Sequence, residues 1–178
     1  MRIISGKYKN KKINGFLLEG TRPTKDRVKE SLFAIIQNYL QDSIFLDLFA
    51  GSGSVGIEAL SNGAKKCYFV EKEKRAIKIL SENLKNIDSY ILLHDDYINA
   101  LSYFKKNNIT FDIIFLDPPY HLNLISSAIY YIKKNNLLNK NGIIVCEYLN
   151  EPIPDIYKIL KTKNYGITNI KIFKNDDF

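Results

Sequence analysis

Asp47-Leu48-Phe49-Ala50-Gly51-Ser52-Gly53-Ser54-Val55-Gly56 closes the apolar run Ile44 to Leu48 and leads into Ile57-Glu58-Ala59-Leu60, so strand, glycine loop and helix follow one another without a break. Glycines at such a turn let backbone approach a ligand, and the helix behind them offers it an amino end. Downstream, Cys67 to Val70, Tyr90 to Leu93, Phe111 to Leu116 and Ile143 to Glu147 are short, nearly continuous apolar runs, as parallel strands covered on both faces require. Helical stretches fall between them: Val55 to Asn62, Glu73 to Asn86, Ile98 to Lys106 and Leu124 to Lys134. Past Pro152 and Pro154, the runs Tyr157 to Lys163 and Ile167 to Lys174 flank Asn164-Tyr165-Gly166, which reads as a hairpin turn. The expected fold is a doubly wound α/β sheet, Rossmann-like and mostly parallel, finished by a C-terminal antiparallel hairpin. That ending separates the class I methyltransferase variant from a plain dinucleotide fold.

Upstream of the loop, Val28, Leu32, Phe33, Ile35, Ile36, Tyr39 and Leu40 recur at helical spacing across Asp26 to Leu40, with Thr24 as a cap after Pro23. Met1 to Ser5 and Lys11 to Asn14 can pair as a small hairpin. No linker or repeat divides the 178 residues, so one domain is expected, with residues 1–29 as a basic extension within it. The net charge of +7 comes from 26 basic and 19 acidic residues. Nine of those basic residues but only Glu19 and Asp26 of the acidic ones lie between Met1 and Lys29, so the rest of the chain is neutral. A cationic segment with Tyr8 and Phe16 among its lysines suits nucleic acid better than a membrane, because no amphipathic stripe accompanies it; the plainer alternative is a solubilising tail.

At 46% hydrophobic and 25% charged residues, disorder is excluded, and no apolar run reaches the roughly 18 residues that cross a bilayer. The start lacks the apolar stretch of a signal peptide, and the two cysteines, Cys67 and Cys146, sit singly in strand-like runs. A cytoplasmic monomer without disulfides is the expectation.

Gly51, Gly53 and Gly56 also fit a dinucleotide fingerprint, with Glu71 following Gly51 by 20 residues. Asp47 tips the balance. A carboxylate pointing into the loop would repel a pyrophosphate but attract the amino group of a methionine-derived sulfonium, so Asp47 with Ala50, Gly51, Ser52 and Gly53 favours S-adenosylmethionine. Glu71 fits either cofactor, since a carboxylate accepts both ribose hydroxyls, and Lys72 stands beside it. The bland readings are a helix cap for Asp47 and a solvated acid for Glu71. Asp95 or Asp96, on the same rim, could accept from an adenine amino group or simply cap the next helix.

Asp117-Pro118-Pro119-Tyr120 follows the strand Phe111 to Leu116. Two prolines fix the backbone so that the Asp117 carboxylate and the Pro118 carbonyl converge, with Tyr120 as an aromatic wall. Such a pocket suits a planar amine. An exocyclic amino group is a poor nucleophile while its lone pair is delocalised into the base, and acceptors on its two hydrogens favour pyramidalisation. A rigid turn with an incidental acid is the alternative. His94 and His121 stand without other ligands at metal spacing, so no metal is expected, and no Gly-x-Ser-x-Gly elbow suggests a hydrolase. The chemistry leaves open a DNA amino-methyltransferase acting on adenine N6 or cytosine N4, although the chain has little room for a target-recognition domain, and a noncatalytic RNA-binding assembly factor.

These residues resemble a known family, the bacterial 16S ribosomal RNA guanine-N2 methyltransferases of the RsmD type. Arg2-Ile3-Ile4-Ser5-Gly6, Thr21-Arg22-Pro23-Thr24-Lys25-Asp26-Arg27-Val28-Lys29-Glu30-Ser31-Leu32-Phe33, the Asp47 to Leu60 loop and helix, Phe69-Val70-Glu71-Lys72, Phe115 to Tyr120 and Tyr165-Gly166-Ile167-Thr168 carry the likeness over nearly the whole chain. The Arg22-Pro23-Thr24 block is the most specific part. The resemblance implies methyl transfer from S-adenosylmethionine to N2 of one guanine in 16S ribosomal RNA, presented in an assembling 30S particle. It assigns Asp47, Gly51 and Gly53 to the methionine part, Glu71 to the ribose, Asp96 to adenine, and Asp117, Pro118 and Tyr120 to the target base. Arg22, Thr24 and Arg27, with Lys7 and Lys11 of the basic segment, are candidate RNA contacts, and the first three could instead touch cofactor or pin the first helix. Lys25 and Asp95-Asp96-Tyr97 depart from the family pattern.

Overall fold

The computed structural model describes residues 1–15, 26–119 and 123–176. Twelve elements follow in order: α1 (Asp26–Leu40), β1 (Ile44–Asp47), α2 (Ser54–Ser61), β2 (Lys66–Glu71), α3 (Lys74–Asn83), β3 (Tyr90–His94), α4 (Tyr97–Lys106), β4 (Phe111–Leu116), α5 (Leu124–Lys134), β5 (Leu138–Tyr148), β6 (Lys158–Tyr165) and β7 (Thr168–Lys174). The seven strands form one sheet in the order β3-β2-β1-β4-β5-β7-β6. Pairings from β3 to β5 are parallel, whereas β5–β7 and β6–β7 are antiparallel. The order reverses between β1 and β4, where a doubly wound sheet opens its ligand crevice.

Alternation along the central strands divides the core into two layers. Phe45, Phe69, Ile113, Phe115 and Val145 face the layer that holds Leu32, Ile36, Ile57 and Leu80 of α1, α2 and α3. Leu46, Val70, Ile114, Leu116 and Cys146 face Leu101 and Phe104 of α4 and Ile129 of α5. Helix α1 covers its side with Val28, Leu32, Phe33, Ile36 and Leu40, the stripe expected from its spacing.

The two cysteines are free and buried, and burial drives both thiols far above their ordinary pKa. No helix among the described residues is long and apolar enough to cross a membrane.

Three expectations need correction. β3 is an edge strand with exposed ends, not a strand covered on both faces. β5 begins at Leu138, well before Ile143, because the register shifts between Phe111 and Ile113 and so admits the polar Asn139 to Gly142. The last turn is Gly166-Ile167, with Tyr165 opposite Thr168, and not Asn164 to Gly166. Gly166 has φ 69°, which the tight turn requires and Asn164 need not supply. The cap expected at Thr24 lies outside the described residues.

The N-terminal hairpin forms, with Arg2 opposite Lys12, and it is docked on the core. Ile3 and Ile13 are buried. The Glu58 carboxylate of α2 accepts the backbone N–H of Ile4 at 2.9 Å and of Ser5 at 3.0 Å. Lys29 of α1 reaches the same carboxylate at 3.1 Å, with both side chains 1% exposed, and donates to the Arg2 carbonyl at 2.9 Å. Hairpin, α1 and α2 thus share one buried charge pair. Lys29→Met would strand Glu58 without its counter-charge and is expected to lower unfolding free energy by about 3–5 kcal/mol in urea titrations. Lys7→Ala, which removes the exposed Lys7–Asp88 pair and the exposed contact of Lys7 with the Tyr8 ring, should shift the midpoint far less than Lys29→Met does.

Candidate active site

Parallel strands in register bring their carboxyl ends to one rim. Asp47 ends β1 opposite Phe69 of β2 and Phe115 of β4. Glu71 and Asp117 lie two residues beyond those partners, so alternation directs all three carboxylates to the α1–α3 side. It also leaves Asp47 about 7 Å deeper than the other two, at roughly 3.3 Å per residue.

That depth decides what Asp47 does. It is 1% exposed, and its Oδ2 accepts the Gly56 N–H at 3.0 Å. Gly56 is the third residue of α2, whose own N-cap, Gly53, has no side chain to offer. The strand-end carboxylate therefore caps the helix from across the loop, and the cap reading is realised in a buried form. Any Cβ on Gly56 would collide with Phe69 and Cys67, so helix and strand approach closely only through this glycine.

Glu71 holds the other side of the loop. Its Oε2 accepts the Gly51 N–H at 2.8 Å, and its Oε1 accepts the N–H groups of Lys72 and Glu73 at 2.8 and 2.7 Å. Gly53 N–H donates to the Ala50 carbonyl at 2.7 Å and Ala50 N–H to Val70 at 2.9 Å, which closes the turn. Gly51, at φ 52°, faces open space where a Cβ would stand. The loop thus presents backbone to open space at the carboxyl end of β1.

Asp96 caps α4 by accepting the Ile98 N–H at 3.1 Å, and its second oxygen pairs with Lys72 Nζ at 3.2 Å. Asp95 accepts from Asn99 and from the Asp96 N–H, and these bonds hold its carboxyl below the usual range. The capping reading thus holds for Asp96, Asp95 braces the cap residue and Asn99, and Lys72 bridges the β2 and β3 ends.

Asp117 is half-buried and Pro118 buried, while Pro119 is exposed. Arg27 is exposed on the first turn of α1. Tyr120, Arg22 and Thr24 lie outside the described residues. Lys7 and Lys11 are not part of this rim. Lys7 N–H donates to Ser61 at the end of α2, Lys7 Nζ pairs with Asp88 ahead of β3, and Lys11 Nζ donates to the Lys85 carbonyl behind α3. Those points lie at the amino ends of the parallel strands, about 20 Å from the rim by the rise of a six-residue strand. Among the described residues no cluster of metal-ligating side chains occurs.

Three features escaped the sequence reading. The Phe49 and Tyr97 rings pack at 5.4 Å between centroids on the β1–β3 side of the rim. Glu147 is a 2% exposed carboxylate on β5, one strand over from Asp117 and on the same face. Asn83 is buried at the end of α3, and an amide within the inward stripe of Ala76, Leu80 and Leu84 was the signal available.

Burial pushes the Asp47 carboxyl up from 3.8 to about 7; the Gly56 N–H opposes this and the Glu71 charge adds to it. The folded chain therefore holds this proton more tightly than the unfolded chain. Ionising Asp47 costs stability, and the cost is absent below the unfolded pKa, grows as pH rises to about 7, and is constant above. Asp47→Asn keeps an oxygen for Gly56 and should flatten the decline in unfolding free energy across that window, leaving the variant more stable than wild type at pH 8.

The family described as conserved hypothetical protein 95 matches residues 1–174. Ribosomal RNA small subunit methyltransferase D of Haemophilus influenzae is 40% identical over 182 residues, spanning 98% of this chain and 94% of that protein. The Escherichia coli protein of the same name is 32% identical over 147 residues, spanning 83% and 74%. A solved Haemophilus influenzae structure is 36% identical, with TM-score 0.79 over 99% of this chain and 98% of that one. An RNA methyltransferase from Salinibacter ruber in complex with S-adenosyl-L-homocysteine superposes with TM-score 0.69 at 15% identity, over 88% of this chain and 95% of that one, a likeness of fold alone. The matches at both levels run nearly end to end, and the chain belongs to the RsmD family, that of the ribosomal RNA small subunit methyltransferases D.

Proposed function

We propose that this chain transfers a methyl group from S-adenosylmethionine to the exocyclic N2 of a guanine in 16S ribosomal RNA, as a cytoplasmic monomer acting on an assembling 30S particle. The observation that carries this reading is the register of β1, β2 and β4, by which Asp117 and Pro118 follow the end of the strand beside the glycine loop, on the same rim. The names of the relatives support ribosomal RNA as substrate.

The open space at Gly51 and the acids near it suit the donor. Gly51 lacks the Cβ that would fill it, and the acids around it suit a cationic sulfonium and ammonium better than a pyrophosphate. Asp47, Ala50, Gly51, Ser52 and Gly53 would hold the methionine end, Glu71 with Lys72 the ribose, and Asp96 the adenine amino group. S-adenosylmethionine supplies an electrophilic methyl on sulfur. Asp117 and the Pro118 carbonyl accept the two N2 hydrogens, which draws nitrogen toward a pyramidal geometry, and Tyr120 stacks on the base. As N–C forms and S–C breaks, the nitrogen becomes acidic and its extra proton passes to Asp117 or water.

Asp117→Ala is expected to leave S-adenosylhomocysteine binding in place and to lower single-turnover rates roughly a hundredfold or more. Incubation with labelled S-adenosylmethionine and either unmodified small-subunit particles or plasmid DNA, followed by nucleoside mass spectrometry, should yield N2-methylguanosine from the particles. Methylated adenine or cytosine from DNA would replace this reading with the DNA enzyme, and no product would favour the assembly factor.

Arg22, Thr24 and Arg27 are the RNA contacts closest in sequence to the catalytic rim, and Lys7 and Lys11 extend the footprint to the amino ends of the strands. Neutralising Lys7, Lys9, Lys11 and Lys12 together should reduce the slope of log affinity against log salt by about one for each phosphate that no longer meets a cation. An unchanged slope would confine RNA to the rim.

A further inference from the structure

Asn83 uses both of its amide hydrogens and its carbonyl oxygen on backbone groups of other elements. Its Oδ1 accepts the Asn14 N–H at 2.9 Å, and its Nδ2 donates to the Asn14 carbonyl at 3.0 Å and to the Ser52 carbonyl at 2.8 Å. The side chain is 3% exposed, so nothing from solvent replaces a bond it loses. Asn14 ends the N-terminal hairpin, and Ser52 is the middle of the glycine loop.

Peptide planarity gives the Ser52 bond its consequence. The Ser52 carbonyl and the Gly53 N–H belong to one rigid unit and point in opposite directions. The carbonyl is held outward by Asn83 and the N–H inward by the Ala50 carbonyl at 2.7 Å. Gly51 at φ 52° and Gly53 at φ 78° flank Ser52, and glycines give a peptide unit the freedom to rotate. The same face of α3 also packs Leu80 where a Cβ on Gly53 would stand. Helix α3 is therefore the backing of the loop, and Asn83 is its polar contact there.

We infer that Asn83 is a positioning residue: it fixes the Ser52–Gly53 peptide in the orientation that receives the methyl donor, and it links that peptide to the N-terminal hairpin. This rests on the methyl-donor assignment above. Asn83 touches neither donor nor base. Its loss should raise the dissociation constant for the donor while leaving the chemistry at saturation intact.

The test is calorimetric titration of the full chain with S-adenosylhomocysteine, alongside thermal melts and turnover on small-subunit particles. Asn83→Leu, similar in volume but without polar atoms, is expected to weaken binding about tenfold or more, by the cost of leaving buried carbonyl and amide groups unpaired, and to change kcat at saturating donor by less than about twofold. Should that variant not fold, Asn83→Asp serves, since it keeps the acceptor for Asn14 N–H but cannot donate to Ser52. Asn14→Ala should leave donor binding unchanged, because Asn83 meets only the Asn14 backbone. Ser5→Ala is the matched control: it loses hairpin bonds to Glu58 and Asn62, away from the loop. Donor binding should fall in the Asn83 variants alone. Equal losses for Asn83→Leu and Ser5→Ala, in step with their melting temperatures, would reduce Asn83 to a hairpin fastener. Unchanged binding in the Asn83 variants would overturn the inference, and a wild-type chain that binds no S-adenosylhomocysteine would overturn the methyl-donor assignment instead.

Discussion

The bond from the Gly56 amide to the Asp47 carboxylate is the contact on which the rim depends. It joins the end of the central strand to the first turn of the helix that follows, across a loop with two left-handed glycines. A free loop of that composition has many conformations of similar energy. One buried acceptor at its far end, Glu71 on the Gly51 amide and Asn83 on the Ser52 carbonyl reduce those to one. Each of the three anchors comes from a different element, so the loop's shape is a property of the β1–β2–α3 packing and not of its own sequence.

The same anchoring sets the electrostatics. Asp47 is deep because β2 runs two residues and β4 one residue past it, and depth raises its pKa, with the nearby Glu71 charge adding to the rise. A cationic ligand entering above Asp47 would favour its ionised form, since it supplies a counter-charge. In the proposed reaction, donor binding and Asp47 ionisation would therefore reinforce one another.

Periodicity made the fold readable. Helices α1 and α5 and strand β4 fall where their apolar spacing puts them, because those stripes face a core on one side or both. The misreadings have local causes. β3 is apolar yet lies at an edge, which composition does not reveal, and β5 carries a polar bulge in its first half that breaks the pattern. At the site, the acids and glycines were legible because their spacing against the strands is fixed by the rise per residue. Asn83 and Glu147 were not, since a single polar residue in an inward stripe does not show what it meets. The place of the basic segment was not legible either: its charge is local in sequence, but the hairpin folds back along α2 and α3 and carries Lys7 and Lys11 to the amino ends of the strands.

That separation bears on how a polyanion approaches. The rim gathers Asp47, Glu71, Asp95, Asp96 and Asp117, with Lys72 engaged by Asp96. A phosphate backbone laid along these acids would be repelled, whereas a neutral base with its donor hydrogens leading would be attracted. Beyond Lys72, the described residues carry exposed cations at Lys74 and Arg75, where α3 begins, and at Arg27, where α1 begins. In the proposed reaction the nucleotide must therefore leave its stack and enter base first, with its phosphates kept outside the acid ring and neutralised by cations beyond it. The acids that hold the donor would then also select against every other part of the RNA, so substrate choice and cofactor binding draw on the same charges.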